Sequence, residues 1–198
     1  NRQDKKEGKR IKVIIVGGVA GGTSCAARLR RLDEKAEILM VERGPYVSYA
    51  NCGLPYHVGG VIAEESSLLV ASEQMFRGTL SIDCRTRCEV IGISPKKKTV
   101  ELKNHVTGEV TTESYDKLVL SPGAPSVHPP LPGIDLPGIF SVRTVPDVRT
   151  IREWIEKGTA FLAGMYNYSG IQFVKPTRRA VVIGGGFIGL ETAENLVH

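Results

Sequence analysis

Twice along its 198 residues the chain runs from a short β-branched apolar stretch directly into glycines, and then into a segment of helical period. Residues 11–16 (IKVIIV) are β-branched at Ile11, Val13, Ile14, Ile15 and Val16, as a strand buried on both faces should be. Gly17, Gly18, Val19, Ala20, Gly21 and Gly22 follow, after which Cys25, Ala26, Leu29 and Leu32 recur at helical spacing and residues 37–41 (EILMV) open a second strand. This is a βαβ unit. A glycine turn at that place lets backbone N–H groups and a helix N-terminus meet a pyrophosphate, and Glu42, 20 residues after Gly22, ends the second strand where a carboxylate accepts hydrogen bonds from a ribose. Val19 stands where the G-x-G-x-x-G pattern has its middle glycine, and close helix–strand packing is the other reason for glycines here. Residues 180–183 (AVVI) repeat the opening, now with a complete pattern at Gly184, Gly186 and Gly189 and with Ala193 four residues on. The chain stops at His198, within the expected second helix and before a second strand with its ribose-reading acid.

Between the two units lies GPYVSYANCGLPYHVGG, residues 44–60, with Cys52 between Asn51 and Gly53. Pro45, Gly53 and Pro55 punctuate it, so the chain is expected to leave a strand and begin a short helix near Cys52. The positive end of a helix favours a thiolate, the form that attacks a disulfide. An isolated cysteine more often packs as a small apolar residue. The glycine turns on either side favour the reactive reading, because two dinucleotide folds in one chain suggest electrons passing between a nicotinamide and a flavin.

Composition removes other classes. No apolar run approaches the roughly 18–20 residues of a membrane span. The net charge of +5 comes from 26 basic residues scattered among 21 acids rather than gathered on a stripe, so small phosphorylated ligands fit better than nucleic acid. Residues 1–10 read as a polar tail, neither signal nor transit peptide. The four cysteines, Cys25, Cys52, Cys84 and Cys88, have neither C-x-x-C nor metal-ligand spacing, which points to a reducing cytoplasm and no metal site.

The remaining pattern is expected to give a loop and helix through Phe76, a strand over 80–84, a meander of strands over 88–93, 99–102 and 110–114, and a buried strand over 115–120 (YDKLVL) turning sharply at Ser121, Pro122 and Gly123. Cys84 and Cys88 would share a face if one strand ran through both, and both read as structural. Proline-rich chain follows until Pro146 opens a helix to about Lys157, and residues 158–178 form an atypical connector.

These motifs together resemble the flavin-dependent pyridine nucleotide-disulfide oxidoreductases, and within them the single-cysteine coenzyme A disulfide reductases and their polysulfide-reducing relatives. The resemblance is carried by GGVAGG, VERGPYVSYANCGLPYHVGG, YDKLVLSPGAP and VVIGGGFIGLETAENL. It implies an α/β chain with a Rossmann-type FAD-binding domain and β-meander over 11–157, followed by the beginning of a Rossmann-type NAD(P)-binding domain at 179–198. FAD would lie on residues 17–22, with Glu42 on the ribose and Arg43 beside it, Val90 near the adenine, and Ser121 and Gly123 along the flavin. Gly184, Gly186 and Gly189 would bind NAD(P)H. Cys52 would be the redox nucleophile, and Ser24, Arg28, Arg31, Ser48 and Asn51 would contact coenzyme A. Arg28 and Arg31, at i and i+3, share a helical face that either clamps phosphates or simply faces solvent.

The expected function is reduction of coenzyme A disulfide, or of related persulfides and polysulfides, by NAD(P)H through FAD and Cys52, the full-length parent being a homodimer. An NADH oxidase or peroxidase cycling Cys52 through a sulfenic acid is the near alternative, and a flavin-binding fragment without turnover the distant one.

Overall fold

A computed structural model describes residues 10–157 and 179–197. The residues of the tail before Arg10, the connector over 158–178 and His198 lie outside the described residues. The chain divides into two compact units, Asn1–Tyr49 with Leu69–Gly123, and Ala50–Leu68 with Ala124–His198.

The first unit is built on a four-stranded parallel sheet. Strands β1 (Lys12–Val16), β2 (Glu37–Val41), β3 (Asp83–Arg85) and β7 (Lys117–Leu120) stand in the order β3-β2-β1-β7, with Val13, Ile14, Ile15 and Val16 opposite Ile38, Leu39, Met40 and Val41. The continuous apolar runs of β1 and β2 are explained by burial on both sides. Val13, Ile15, Ile38 and Met40 turn to one face, where Ala26 of helix α1 (Gly21–Leu32) and Phe76 of helix α3 (Glu73–Leu80) cover them. Ile14, Leu39 and Val41 turn to the other, against Val100 and Leu102. Those two belong to the antiparallel meander β4 (Cys88–Ser94), β5 (Thr99–Asn104) and β6 (Val110–Ser114), in which β5 is central. Each fully buried aliphatic side chain contributes about 1.5–3 kcal/mol, so the two layers together specify the register of the parallel sheet.

The strand expected over 80–84 begins later. Ser72 caps α3 by accepting the Met75 N–H, and the helix holds through Leu80 until Ser81 turns left-handed at φ 49°, so only Asp83–Arg85 is free to pair with β2. No single strand carries both Cys84 and Cys88: Cys84 belongs to the α1–α3 face of the sheet and Cys88 to the meander face, separated by Arg87 at φ 49°. Charge ties the layers as well. The Glu113 carboxylate on β6 takes Lys12 Nζ at 2.7 Å and Arg85 Nη1 at 3.0 Å, joining β1 and β3 to the meander.

In the second unit a 3-10 turn, Asn51–Gly53, feeds the short helix α2 (Leu54–Val58), and a second 3-10 turn follows at Glu65–Leu68. Helix α4 (Val145–Lys157) buries Val145, Val148 and Ile151 at helical spacing. It opens on a reciprocal cap in which Thr144 N–H donates to Asp147 Oδ2 at 2.8 Å and Asp147 N–H to Thr144 Oγ1 at 3.4 Å. The strand expected over 180–183 does not form. Val181 and Ile183 are 87% and 84% exposed, and a strand exists only through the ladder it shares with a neighbour, which is absent among the described residues. The helix expected after it does form, as α5 (Phe187–Val197), and rests on the end of α2 through Gly59 and Asn195. No helix of the described residues is long and apolar enough to cross a membrane.

Candidate functional site

The sheet order reverses direction at one place. From β1 the chain moves outward to β2 and β3 and later returns to add β7 on the other side of β1, so the carboxyl ends of β1 and β7 form a topological switch point, where open α/β sheets bind ligands. Both predicted turns meet there. The Ser121 N–H donates to Val16 O at 2.8 Å and the Gly17 N–H to Val41 O at 2.8 Å, which pins residue 17 between β2 and β7. Gly17 has φ +95°, a conformation that side chains rarely adopt, and a β-carbon on it would lie 2.7 Å from the Ser121 carbonyl carbon. Gly22 matters for space: its β-carbon would lie 2.8 Å from the Gly17 carbonyl carbon and closer still to the oxygen. The packing reason for the glycines is therefore real at Gly17 and Gly22.

The start of α1 is nonetheless open to an anion. Its N-cap, Ala20, offers no side-chain hydrogen bond and the first turn carries no acid, whereas α3 has both Ser72 and Glu73. The first N–H groups of a helix lack intrahelical partners, and here Ala20 and Gly21 are exposed with Val19 half-buried beside them. Gly18 is buried and its N–H donates to Glu42 Oε2 at 2.8 Å, while Gly44 N–H donates to Glu42 Oε1 at 2.7 Å. Glu42 is thereby aimed across the mouth of the turn. A carboxylate has about four acceptor positions, so two remain for hydroxyl groups. Val90 lies on β4, half-buried against the meander core, Gly123 turns at φ 68° just after Ser121, and Arg43 is exposed, 3.6 Å from Glu89.

Of the predicted substrate contacts, Ser24, Arg28 and Arg31 are all exposed and run along one face of α1 at i, i+4 and i+7. The arginine between them is used differently: Arg30 donates to the carbonyls of Leu80, Glu34 and Ser81 at 2.8, 2.7 and 2.9 Å and so clamps the helix to the end of α3. Ser48 sits at φ 48° with its N–H on Gly18 O and its carbonyl accepting the Val70 N–H.

In the second unit Cys52 occupies the middle of the Asn51–Gly53 turn and is exposed, as is Asn51. Gly53 beside it is buried, with its N–H on Ala50 O. The helical start expected at this cysteine is thus present as a 3-10 turn leading into α2. The other thiols have different surroundings. Cys84 is 0% exposed, and burial, with the charge of Glu73 added, pushes its thiol up to about 12. Burial also raises Cys88 above the ordinary cysteine range, and Cys25 is half-buried against the same core as Cys84. Both strand cysteines are buried.

The second glycine turn copies the first without its strand. Gly184 has φ +115° against +95° at Gly17, and a β-carbon on Gly189 would lie 3.1 Å from the Gly184 carbonyl carbon and closer to the oxygen, the same relation as Gly22 to Gly17. Gly186 is exposed, with nothing within 4 Å of where a β-carbon would sit. Sequence reasoning missed His57, Arg149 and Arg152, which hold the chain around Cys52; the two arginines at i and i+3 in the amphipathic pattern of α4 were the available signal.

The chain is 38% identical over 185 residues to the coenzyme A disulfide reductase of Staphylococcus haemolyticus, covering 93% of this chain and 38% of that protein. Its fold matches the crystal structure of reduced Bacillus anthracis CoADR-RHD with a TM-score of 0.84 and 46% identity, over 95% of this chain and 31% of that one. It matches a NAD-dependent persulfide reductase from A. fulgidus with a TM-score of 0.82 and 35% identity, over 94% of this chain and 32% of that one. The chain thus spans about two fifths or less of the length of these relatives. The family described as pyridine nucleotide-disulphide oxidoreductase matches residues 11–198, and the chain belongs to that family.

Proposed function

We propose that this chain is the flavin-binding, thiol-bearing part of an NAD(P)H-dependent flavoprotein disulfide reductase, and that its substrate is coenzyme A disulfide or a related persulfide or polysulfide. The observation that carries the reading is the partition of the four thiols: Cys52 alone is exposed, in a helical turn, while Cys84 and Cys88 are buried and held protonated and Cys25 is packed into a helix face. FAD bound at the first glycine turn would supply a two-electron relay between a nicotinamide and a disulfide. The open N-terminus of α1, from Gly17 to Gly22, would hold its pyrophosphate, Glu42 its ribose, Val90 its adenine, and Ser121 with Gly123 its flavin side. Gly184, Gly186 and Gly189 would serve NAD(P)H in the same manner.

The Cys52 thiolate attacks one sulfur of coenzyme A disulfide. A Cys52–coenzyme A disulfide bond forms as the original S–S bond breaks, and the departing coenzyme A thiolate takes up a proton. Reduction of the mixed disulfide by two electrons from NAD(P)H releases the second coenzyme A and restores the Cys52 thiolate. Arg28 and Arg31, exposed on α1 with Ser24 between the glycine turn and them, offer two cations to the phosphates of the substrate, and Ser48 and Asn51 offer neutral donors. The reading extends to a full-length homodimer and to a reducing cytoplasm, the latter in keeping with four unpaired cysteines.

The test is adduct mapping. Mass spectrometry after mixing with coenzyme A disulfide is expected to show one adduct, on Cys52, absent from Cys52→Ser. An adduct spread equally over Cys25, Cys84 and Cys88 would refute the assignment.

A further inference from the structure

The chain between α2 and the Glu65–Leu68 turn forms a strap beneath Cys52. Its Ile62 Cδ1 and the Leu68 Cδ2 stand 3.1 and 2.8 Å from where a β-carbon would sit on Gly53, the residue next to the cysteine. Leu68 O also accepts the Ala50 N–H at 2.8 Å, just before the cysteine turn. Where Ile62 and Leu68 stand therefore decides where the turn stands. The strap has little regular structure of its own, and Gly60, Val61, Ala63 and Glu64 are exposed. It is fixed from outside. His57 Nδ1 lies 2.7 Å from Ile62 O and 3.3 Å from Arg152 Nη1, which also reaches Ile62 O at 3.5 Å. Arg152, from α4, donates through Nη1 to Ala63 O at 2.7 Å, so two consecutive carbonyls are held by two different helices. The other arm of the guanidinium, Nη2, pairs with Glu156 at 3.1 Å one turn further along α4, which sets the plane of the fork. One turn back, Arg149 Nε holds Glu65 at 2.7 Å and anchors the far end of the strap.

We propose that Arg152 is a positioning residue for the Cys52 sulfur. It fixes the Ala63 carbonyl, through it the Ile62 side chain under Gly53, and through that the turn that presents the thiol. This rests on the reading of Cys52 as the disulfide-exchanging residue. Exchange requires the attacking sulfur to line up with both sulfurs of the substrate, and a misplacement of about 1 Å from a distant change costs on the order of a hundredfold in rate. Arg152 does this without touching the substrate.

The experiment is saturation kinetics of mixed-disulfide formation at Cys52 with coenzyme A disulfide, comparing the parent chain with Arg152→Met and Arg152→Lys at a temperature where circular dichroism shows each folded. Arg152→Met is expected to lower the limiting rate about tenfold or more while leaving the half-saturating concentration and the final extent of reaction unchanged. A role in folding alone would lower the extent of reaction and not the limiting rate. Arg152→Lys, with one compact ammonium in place of a fork, is expected to recover only part of the rate. A parent-like limiting rate in folded Arg152→Met overturns the proposal. So does a raised half-saturating concentration at unchanged rate, which would make Arg152 a substrate ligand. Should Arg152→Met fail to fold, a parent-like rate in Arg152→Lys overturns it. A parent chain that forms no adduct at Cys52 removes the reading of Cys52 and this role together, whereas every other outcome leaves Cys52 reactive.

Discussion

Gly22→Ala is expected to destabilise the chain by about 3 kcal/mol, although alanine is the better helix former by about 1 kcal/mol. Gly22 is the second residue of α1, and the added β-carbon would lie 2.8 Å from the Gly17 carbonyl carbon, nearer to its oxygen, and 3.2 Å from Ile15 Cγ2. Carbon atoms in ordinary contact stand about 3.5–4.0 Å apart. Nothing at the obstruction can rotate away, because it is backbone, and that backbone is held by the Gly17 N–H on Val41 O and the Ser121 N–H on Val16 O, both 2.8 Å. Relief requires α1 to lift from the turn or those bonds to lengthen. Overpacking of this kind costs about 1–3 kcal/mol and occasionally more, and each loosened hydrogen bond adds about 1 kcal/mol. Gly78→Ala in α3 is the internal control: nothing lies within 4 Å of its β-carbon position, so the same substitution there is expected to stabilise by about 0.5–1 kcal/mol. Urea unfolding followed by circular dichroism measures both. For a chain of this size about 3 kcal/mol corresponds to a fall in Tm of roughly 6–12 °C. A Gly22→Ala chain as stable as the parent would mean the turn is not held as described.

Three further outcomes follow from the same geometry. Gly21→Asp meets only the movable Ser121 Oγ at 2.5 Å and adds an acid to the positive end of α1, so it is expected to keep or raise stability by a few tenths of a kcal/mol while abolishing flavin binding; full flavin absorbance in the purified variant would refute the anion site. Cys84 has a folded-state value raised to about 12, so the stability tied to its neutral thiol is complete below the unfolded value near 8.5 and is lost as pH rises from there toward 12; Cys84→Ala should flatten the alkaline limb of the urea midpoint against pH, and an unchanged limb refutes this. Glu113 is held below the ordinary carboxylate range chiefly by the hydrogen bond from Lys12, so its contribution is present above the unfolded value of about 4.3 and lost as pH falls through the folded one; Glu113→Gln should lower stability at neutral pH and weaken its acid dependence.

What the sequence disclosed depended on how local the cause was. The β1–α1–β2 unit was legible because a two-faced apolar run, a glycine turn and a helical period each have one physical reading, and they agree. The meander was legible from its turns. The start of β3 was not, because whether Leu80 belongs to helix or strand is decided by the Ser72 cap eight residues earlier and by Ser81 turning left-handed. The faces of Cys84 and Cys88 were hidden for a similar reason: an even spacing places two residues on one face only while the strand continues, and Arg87 interrupts it. Glu42 was visible by distance from Gly22, yet its double acceptance of Gly18 and Gly44 N–H groups depends on side-chain reach. The spacing of Arg149 and Arg152 was visible, but the hold of His57 and Arg152 on Ile62 and Ala63 was hidden, because those two partners are backbone carbonyls, which every sequence has everywhere.

The two glycine turns separate what a motif specifies from what a fold adds. Around Gly184 the chain has neither a formed strand nor a neighbouring one among the described residues, yet the left-handed first glycine and the crowded sixth position recur as at Gly17 and Gly22. The turn is therefore a local property of glycine spacing and helix initiation. Selectivity is not local. At the first turn β2 brings Glu42 across the mouth and β7 brings Ser121 alongside, both through strand pairing with β1, so that an open helix end and an acceptor for hydroxyl groups stand together. The thiols obey the same division. Nothing in the spacing of Cys84 and Cys88 buries them; the sheet does, one on each face, whereas Cys52 stands exposed in its turn.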